Sequence, residues 1–133
     1  MAVDGLTTIE STHGPNETLE RLEAEVKARG LTVFARIDHA EGAVQVGLPL
    51  RPTTVLIFGN ARGGTPLMQA AQTVGIDLPL KALVWQDAAG KTWLSYTDPS
   101  WIAKRHGLGH EVDPTVAALT NALGMLAKGA TSP

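Results

Sequence analysis

The apolar residues of this 133-residue chain recur with two different periods, one helical and one of two residues. Leu19, Leu22 and Val26 follow the helical period and predict a helix that Asn16 caps and Gly30 ends. Three more helices are predicted where a cap residue precedes a proline, because proline is favoured at the first helical position. They cover residues 66–74, 99–106 and 115–128, with the caps Thr65, Asp98 and Asp113, and residues 129–133 are expected to fray.

Segments with a period of two, or with a continuous apolar run, predict strands at residues 3–11, 31–38, 53–58, 80–86 and 92–97. The third strand is expected to be buried on both faces, because Val55 to Phe58 contains no polar residue. The last two strands form a hairpin through the glycine-containing loop 87–91. Residues 39–52 are expected to be irregular, apart from a short strand at 43–48, and long loops are often functional.

Composition restricts the classes of function. The chain has no cysteine, which excludes disulfides, thiolate metal sites and thiol catalysis. A formal net charge of −2 and a pI near 6.0 provide no basic field for nucleic acid or an anionic membrane. No apolar run approaches the roughly 20 residues that cross a bilayer, and the N-terminal residues do not resemble a signal peptide. We therefore expect one cytoplasmic domain over residues 1–133, with neither a nucleic-acid nor a membrane partner.

Several segments are similar, in the same order, to a known family. These segments are Ala35-Arg36-Ile37-Asp38-His39-Ala40, residues 52–60, Gly64-Thr65-Pro66-Leu67-Met68, residues 77–81, Trp85, residues 95–99 and Arg105-His106-Gly107. They resemble the "domain of unknown function 302" family of small bacterial and archaeal proteins. The resemblance implies an α+β fold like that of the TATA-box-binding protein, with a curved antiparallel sheet packed on helices. It gives the order strand, helix, four strands and helix, with short inserted helices. It also implies a homodimer, and it names no activity and no cofactor.

The first candidate site is the loop between the buried strand and the next helix. Its glycines let backbone N–H groups approach an anion, and the helix N-terminus supplies positive potential. Nucleotide hydrolysis is disfavoured, because the lysine of a Walker loop is absent. We therefore predict a binding site for a small, anionic molecule that involves Asn60, Arg62, Thr65 and Met68. The structural alternative is a tight turn that Thr65 caps.

Three histidines provide candidates for a second site. Asp38 and His39 end a predicted strand, and a carboxylate beside a histidine can shuttle protons or bind a metal. The structural alternative is that Asp38 caps a turn and His39 hydrogen-bonds at the end of the sheet. His106 and His110 have the spacing of a helical metal pair, although the glycines between them break the helix. An enzyme that uses Asp38, His39 and His106 in acid–base or metal-assisted chemistry is therefore one hypothesis.

Lys81 lies in an apolar strand, where it faces either solvent or a pocket that would favour an acidic ligand or nucleophilic chemistry. Tyr96 and Trp93 would line the same concavity as Asn60, unless they are core or dimer contacts. Our leading hypothesis is a non-catalytic homodimeric domain that binds a small molecule or a protein partner between the sheet and residues 59–68. A scaffold that makes only protein contacts is a third class.

Overall fold

The protein is described by a computed structural model over residues 2–133. The elements are β1 (Leu6–Ser11), α1 (Pro15–Ala28), β2 (Thr32–Asp38), α2 (His39–Gln45), β3 (Thr53–Gly59), α3 (Ala61–Ala70), a 3₁₀ helix (Gln72–Asp77), β4 (Leu80–Gln86), β5 (Thr92–Thr97), α4 (Pro99–Arg105), a second 3₁₀ helix (His110–Val112) and α5 (Asp113–Thr131). Within residues 2–133, no helix has both the length and the apolar character needed to cross a membrane.

The strands form one five-stranded antiparallel sheet in the order β1-β5-β4-β3-β2. Helices α1 and α5 pack against each other and cover one face of it. The side chains of Leu22, Val26, Leu56, Phe58 and Leu126 are at most 1% exposed in this core. The expected architecture, an antiparallel sheet packed against helices, is therefore confirmed.

The opposite face of the sheet carries a second set of apolar side chains. Directly paired residues of antiparallel strands point to the same side, and neighbours along a strand alternate. The register therefore places Val55, Ile57, Leu83, Trp85 and Trp93 on the face away from α1 and α5. The rings of Trp85 and Trp93 stack with 6.1 Å between their centroids. All five residues are half-buried.

A smaller apolar cluster lies beside the main core. Its buried members are Leu67 of α3, Val74 of the first 3₁₀ helix, Ile102 of α4 and Val112. Leu78 and Leu119 contact both clusters. The inserted helices α3 and α4 therefore bury their apolar residues against each other and against α5.

Strand β2 contains a β-bulge at Phe34. Phe34 has no partner in β3, because the residues on either side of it pair with the adjacent residues Phe58 and Ile57. A bulge interrupts the alternation of side chains. Arg36 consequently points towards α1, where its Nη1 lies 2.9 Å from Oε1 of Glu20. Phe34 is left 56% exposed at the end of the sheet.

The predicted N-cap of α1 and the predicted C-terminal end of α5 were wrong. Gly14 rather than Asn16 occupies the N-cap position of α1, because proline follows it at the first helical position. Helix α5 runs to Thr131 instead of fraying, since Ala130 and Thr131 are only 0% and 4% exposed. The carbonyl of Thr131 also accepts a hydrogen bond from the backbone N–H of Thr12 at 2.9 Å.

Helix α3 begins earlier than predicted. Asn60 caps it, because its Oδ1 accepts a hydrogen bond from the backbone N–H of Gly63 at 2.7 Å. Thr65, the predicted cap, lies exposed within the helix. Pro66 follows inside the helix and has no N–H to donate to the carbonyl of Arg62. The glycine-rich loop that the sequence predicted is therefore the first turn of a helix.

Helix α2 occupies the first half of the segment predicted to be irregular at residues 39–52, and the short strand predicted at 43–48 is not formed. Residues 46–52 are irregular, as predicted. Asp38 caps this helix, since its Oδ1 accepts the backbone N–H of Glu41 at 2.9 Å. A cap residue followed three positions later by glutamate is a typical helix start. The alternating apolar residues that indicated a strand are exposed to solvent. Val44, Val46 and Leu48 are 68%, 71% and 62% exposed.

Candidate functional site

An open cavity of about 390 Å³ lies at the end of the sheet where β3 leads into α3. Its walls come from the start of β2, the β3–α3 junction, the segment before β4, and α5. The lining residues are Leu31, Phe34, Gly59, Asn60, Ala61, Gly63, Gly64, Met68, Gly75, Leu78, Pro79, Leu80, Ala118, Leu119, Ala122 and Leu126. The cavity therefore lies between the main core and the smaller cluster.

The walls of this cavity are apolar. Asn60 carries the only polar side chain among the lining residues. Leu80 and Leu126 are 9% and 1% exposed and belong to the core, whereas Phe34 is largely exposed at the rim. Ligand pockets are typically apolar concavities of 300–1,000 Å³, by rough survey, with a few polar groups. This cavity has the size and chemistry to hold a small, mainly apolar molecule.

Two glycines bring α3 close to its neighbours and shape the cavity wall. A Cβ on Gly63 would lie 3.2 Å from the side chain of Leu119, and one on Gly64 would lie 3.1 Å from Leu78. Both distances are shorter than ordinary van der Waals contacts. The glycines therefore have a packing role here, and they do not form a phosphate-binding loop.

A second open depression of about 410 Å³ adjoins the cavity. The two share Asn60, Gly63, Ala118 and Leu119, and the depression adds Arg62, Pro114 and Thr115. Arg62 is the only charged residue that lines either space, and it is exposed. The apolar cavity therefore opens next to one positive charge.

Three of the predicted ligand-binding residues lie at these two openings. Asn60 and Met68 line the apolar cavity, and Arg62 lines the adjoining depression. Thr65 lines neither. Asn60 also caps α3, so the amide that faces the cavity is held in place through its oxygen.

Lys81 and Tyr96 lie elsewhere. Lys81 is exposed, and its Nζ donates to the carbonyl of Pro79 at 3.3 Å. Tyr96 is 8% exposed in the main core. Trp93, three residues earlier on the same strand, points to the opposite face of the sheet. The concavity predicted for Asn60, Tyr96 and Trp93 is therefore not formed.

Asp38 and His39 lie where β2 leads into α2. Asp38 caps α2, as the structural alternative predicted. It also lines a small depression of about 150 Å³ beside the start of α1. His39 is exposed as the first residue of α2. The side chains have separate environments and do not form a histidine–carboxylate pair.

His106 belongs to a different polar cluster. Its Nδ1 lies 2.8 Å from Oγ1 of Thr73, and its Nε2 lies 2.6 Å from Oδ2 of Asp77. Arg105 Nη1 donates to the other carboxylate oxygen of Asp77 at 2.7 Å. A hydroxyl, an imidazole and a carboxylate also make up a nucleophilic triad. None of the three cavities borders these residues, however. The cluster instead joins the first 3₁₀ helix to the end of α4.

The metal alternative gains no support from the geometry. Across the described chain, from residue 2 to residue 133, no group of three or more His, Asp or Glu side chains is arranged to hold a metal ion. His110 is fully exposed, and its Nδ1 lies 3.0 Å from Oδ2 of Asp113. Asp38, His39 and His106 are thus not assembled into one site.

The lining residues that sequence reasoning missed are mainly those of β2 and α5. Strict alternation would place Leu31 and Phe34 on opposite faces, but the bulge brings both to the cavity wall. Ala118 and Ala122 lie one helical turn apart and are small, which leaves space beside the sheet. In the sequence, this wall is indicated only by the two small residues Ala118 and Ala122 on a helix that is rich in leucine.

Comparison with known proteins identifies the family. A family model described as "Domain of unknown function DUF302" matches residues 7–126. The chain belongs to the DUF302 family. The match covers β1 to most of α5 and includes every residue that lines the apolar cavity. The family resemblance of the sequence motifs is therefore confirmed.

A solved DUF302 structure has the same fold. The crystal structure of an uncharacterized conserved DUF302 protein from Bacillus stearothermophilus superposes with a TM-score of 0.85, covering 96% of this chain and 99% of that chain. The sequences are 23% identical. The likeness establishes the fold and leaves the ligand and activity open.

The DUF302 chain is also similar to part of larger proteins. It is 48% identical over 124 residues to proteins named fluoride-specific ion channel FluC 1 in Brucella suis biovar 1 (strain 1330) and Brucella abortus biovar 1 (strain 9-941). The match covers 93% of this chain but only 49% and 46% of those proteins. The chain thus spans about half the length of the curated relatives it matches, and their name describes proteins with further sequence outside the match.

Proposed function

We propose that this DUF302 domain binds a small, mainly apolar molecule in the cavity between β2, α3 and α5. The carrying observation is the open, apolar cavity of about 390 Å³ with a single polar side chain in its wall. Each methylene group of a ligand that is buried in such a cavity contributes about 0.8 kcal/mol to the free energy of binding. No titratable side chain lines this cavity, which favours binding over acid–base catalysis.

The test is binding of the fluorescent apolar probe N-phenyl-1-naphthylamine. Ala118→Phe should block the site, because Ala118 lines both openings and is itself exposed, so the larger ring fills the cavity without disturbing the core. Ala117→Phe is the matched control on the same helix, since Ala117 is exposed and lines neither opening. We expect saturable one-to-one binding to the wild type and to Ala117→Phe, and its loss in Ala118→Phe. Equal binding to both variants, or none to the wild type, would contradict the proposal.

We also propose that the domain is a homodimer, as the family resemblance implies. The supporting observation is a set of exposed apolar side chains at alternate positions of one segment, in which Val44, Val46, Leu48 and Leu50 are 68%, 71%, 62% and 50% exposed. Exposed apolar patches commonly mark protein interaction sites. Glu41 precedes this segment and Arg51 follows it. A two-fold axis can therefore pair the acidic end of one copy with the basic end of the other.

Light scattering after size-exclusion chromatography tests the dimer. Val46→Glu buries a charge in the proposed interface and should give a monomer. Val3→Glu is the control, because Val3 is 61% exposed outside the segment. A monomeric wild type, or a dimeric Val46→Glu variant, would rule out this interface.

The TATA-box-binding-protein-like class is proposed on the element order, with α2, α3 and α4 as insertions. The cytoplasmic location stays a prediction.

A second candidate function is that of a partner domain for a fluoride channel, despite the predicted absence of a membrane partner. The Brucella relatives named fluoride-specific ion channels contain a similar domain in the same chain, and this observation favours it. Fluoride efflux from proteoliposomes containing such a channel, measured with and without added DUF302 domain, provides the test. Unchanged efflux together with the absence of a complex by native mass spectrometry would eliminate this candidate.

A further inference from the structure

We infer that the ligand of this cavity is a single-chain amphiphile with one acidic headgroup. Its apolar tail would lie between Phe34, Leu80 and Leu126, and its carboxylate or similar head would lie beside Arg62. The inference rests on the proposed function, because it presumes that a small molecule occupies the cavity. It adds the chemical class of that molecule.

The apolar cavity and the adjoining depression lie side by side, and the line from one to the other is the path that an amphiphile would follow. Four residues line both the apolar cavity and the adjoining depression, namely Asn60, Gly63, Ala118 and Leu119. One end of this path is apolar and is closed by core leucines. The other end is exposed and includes the hydroxyl of Thr115 and the guanidinium of Arg62. The chemistry therefore changes from apolar to positively charged along one line, as it would for a ligand with a tail and an anionic head.

The mouth of the cavity has a positive charge that no neighbouring carboxylate offsets. No Asp or Glu is among the residues that line either opening, so no carboxylate there offsets the charge of Arg62. The other five arginines each have a partner. Arg29, Arg36 and Arg105 form ion pairs with Glu25, Glu20 and Asp77, respectively. Arg21 and Arg51 donate to the backbone carbonyls of Ser132 and Gln86, respectively. The side-chain hydrogen bonds and ion pairs of arginine within residues 2–133 belong to these five residues, and none involves Arg62. A planar guanidinium matches the geometry of a carboxylate and disfavours a cationic ligand.

The site has the charge to neutralise one anionic group. A single guanidinium at the mouth, with the neutral groups of Asn60 and Thr115 beside it, suits one negative charge. A ligand with several phosphates would leave most of its charge without a partner. The headgroup is therefore a monoanion, and the tail determines most of the affinity. Each added methylene should tighten binding about fourfold until the cavity is full.

The test compares decanoate with 1-decanol, which has the same tail and no charge. Each displaces N-phenyl-1-naphthylamine from the wild type, from Arg62→Gln and from Lys104→Gln, at concentrations below micelle formation. Lys104→Gln removes the same charge from an exposed position on α4 that lines neither opening. We expect Arg62→Gln to weaken decanoate binding about 10-fold or more, because charged hydrogen bonds are lost. Binding of 1-decanol should be equal in all three proteins, and Lys104→Gln should bind decanoate like the wild type.

The outcomes separate the two proposals. If 1-decanol binds as well as decanoate, or if Arg62→Gln leaves decanoate binding unchanged, the acidic headgroup is refuted while the apolar site stands. If neither compound binds and the probe itself does not bind, the proposed function fails as well. Thermal melts of the variants check folding, and Arg62 is exposed, so its replacement should leave the melting temperature unchanged.

Discussion

Replacing Asn60 should separate the stability of α3 from ligand binding. Asn60 directly follows β3, and its Oδ1 accepts a hydrogen bond from the backbone N–H of Gly63 at 2.7 Å. Asn60→Ala removes this acceptor and leaves one more N–H of the first helical turn without a partner. Loss of an N-cap costs about 1 kcal/mol, with a range of roughly 0.5–2 kcal/mol.

The cost here should lie near the upper end of that range. Helix α3 has no acidic residue in its first turn and contains Gly63, Gly64 and Pro66. Relative to alanine, each glycine disfavours a helix by about 1 kcal/mol and a proline by about 3 kcal/mol. Little local preference therefore offsets the loss of the cap. We expect destabilisation by about 2 kcal/mol, or a melting temperature lower by roughly 6–10 °C for a chain of this size.

Urea unfolding followed by circular dichroism measures this effect, and Asn60→Asp is the matched control. Aspartate keeps the acceptor and adds a negative charge that the helix N-terminus favours. Its stability should stay within about 0.5 kcal/mol of the wild type, whereas its decanoate binding should weaken, because the new charge lies near Arg62. An alanine variant as stable as the wild type, or an aspartate variant as unstable as alanine, would refute the capping argument.

Three further predictions concern other parts of the fold. Phe58→Ala removes a side chain that is 0% exposed, and it should lower the free energy of unfolding by about 3–5 kcal/mol in urea titrations. Hydrogen bonds from the Trp93 indole and from backbone N–H groups hold the pKa of Asp87 below its ordinary value of 3.8. Ionised Asp87 therefore stabilises the folded state above pH 3.8, and this stabilisation is lost as the pH falls through the lower pKa of the folded state. Asp87→Asn should consequently lose less stability in acid than the wild type, as measured by urea unfolding at a series of pH values. Gly5→Ala would place a Cβ 2.3 Å from the ring of Trp101 at a φ of +73°, and thermal melts should show destabilisation of about 1–3 kcal/mol.

The sequence predicted four of the five strands to within one residue, because they depend on local patterns, whereas β1 begins at Leu6 and not at Val3. Both hairpin strands, Leu80–Gln86 and Thr92–Thr97, have the predicted bounds, since each lies beside the same glycine-containing turn. Helix starts were less certain where two cap signals compete. Thr65-Pro66 predicts a helix start, although Asn60 is an equally good cap, and the packing of α3 against α5 favours the start at Asn60.

The candidate site was predicted only in part. Asn60, Arg62 and Met68 lie in one local segment, and the strand-to-helix context identified them. The apolar walls include residues more than 80 positions apart in the sequence, such as Leu31 and Ala118. A periodic pattern within one segment does not show which distant segment it contacts in the fold. Sequence reasoning consequently predicted an anion site, whereas the observed cavity is apolar with one charge at its mouth.

The bulge in β2 means that the rim of the cavity can be altered without rebuilding the fold. The residues that flank Phe34 already pair with adjacent residues of β3, so deleting this one residue would leave a continuous ladder. Phe34 lines the cavity, and the deletion would take away part of its rim. In evolutionary terms, a single-codon insertion or deletion is enough to change this part of the rim. Family members that lack the extra residue should share the architecture and differ in what they bind.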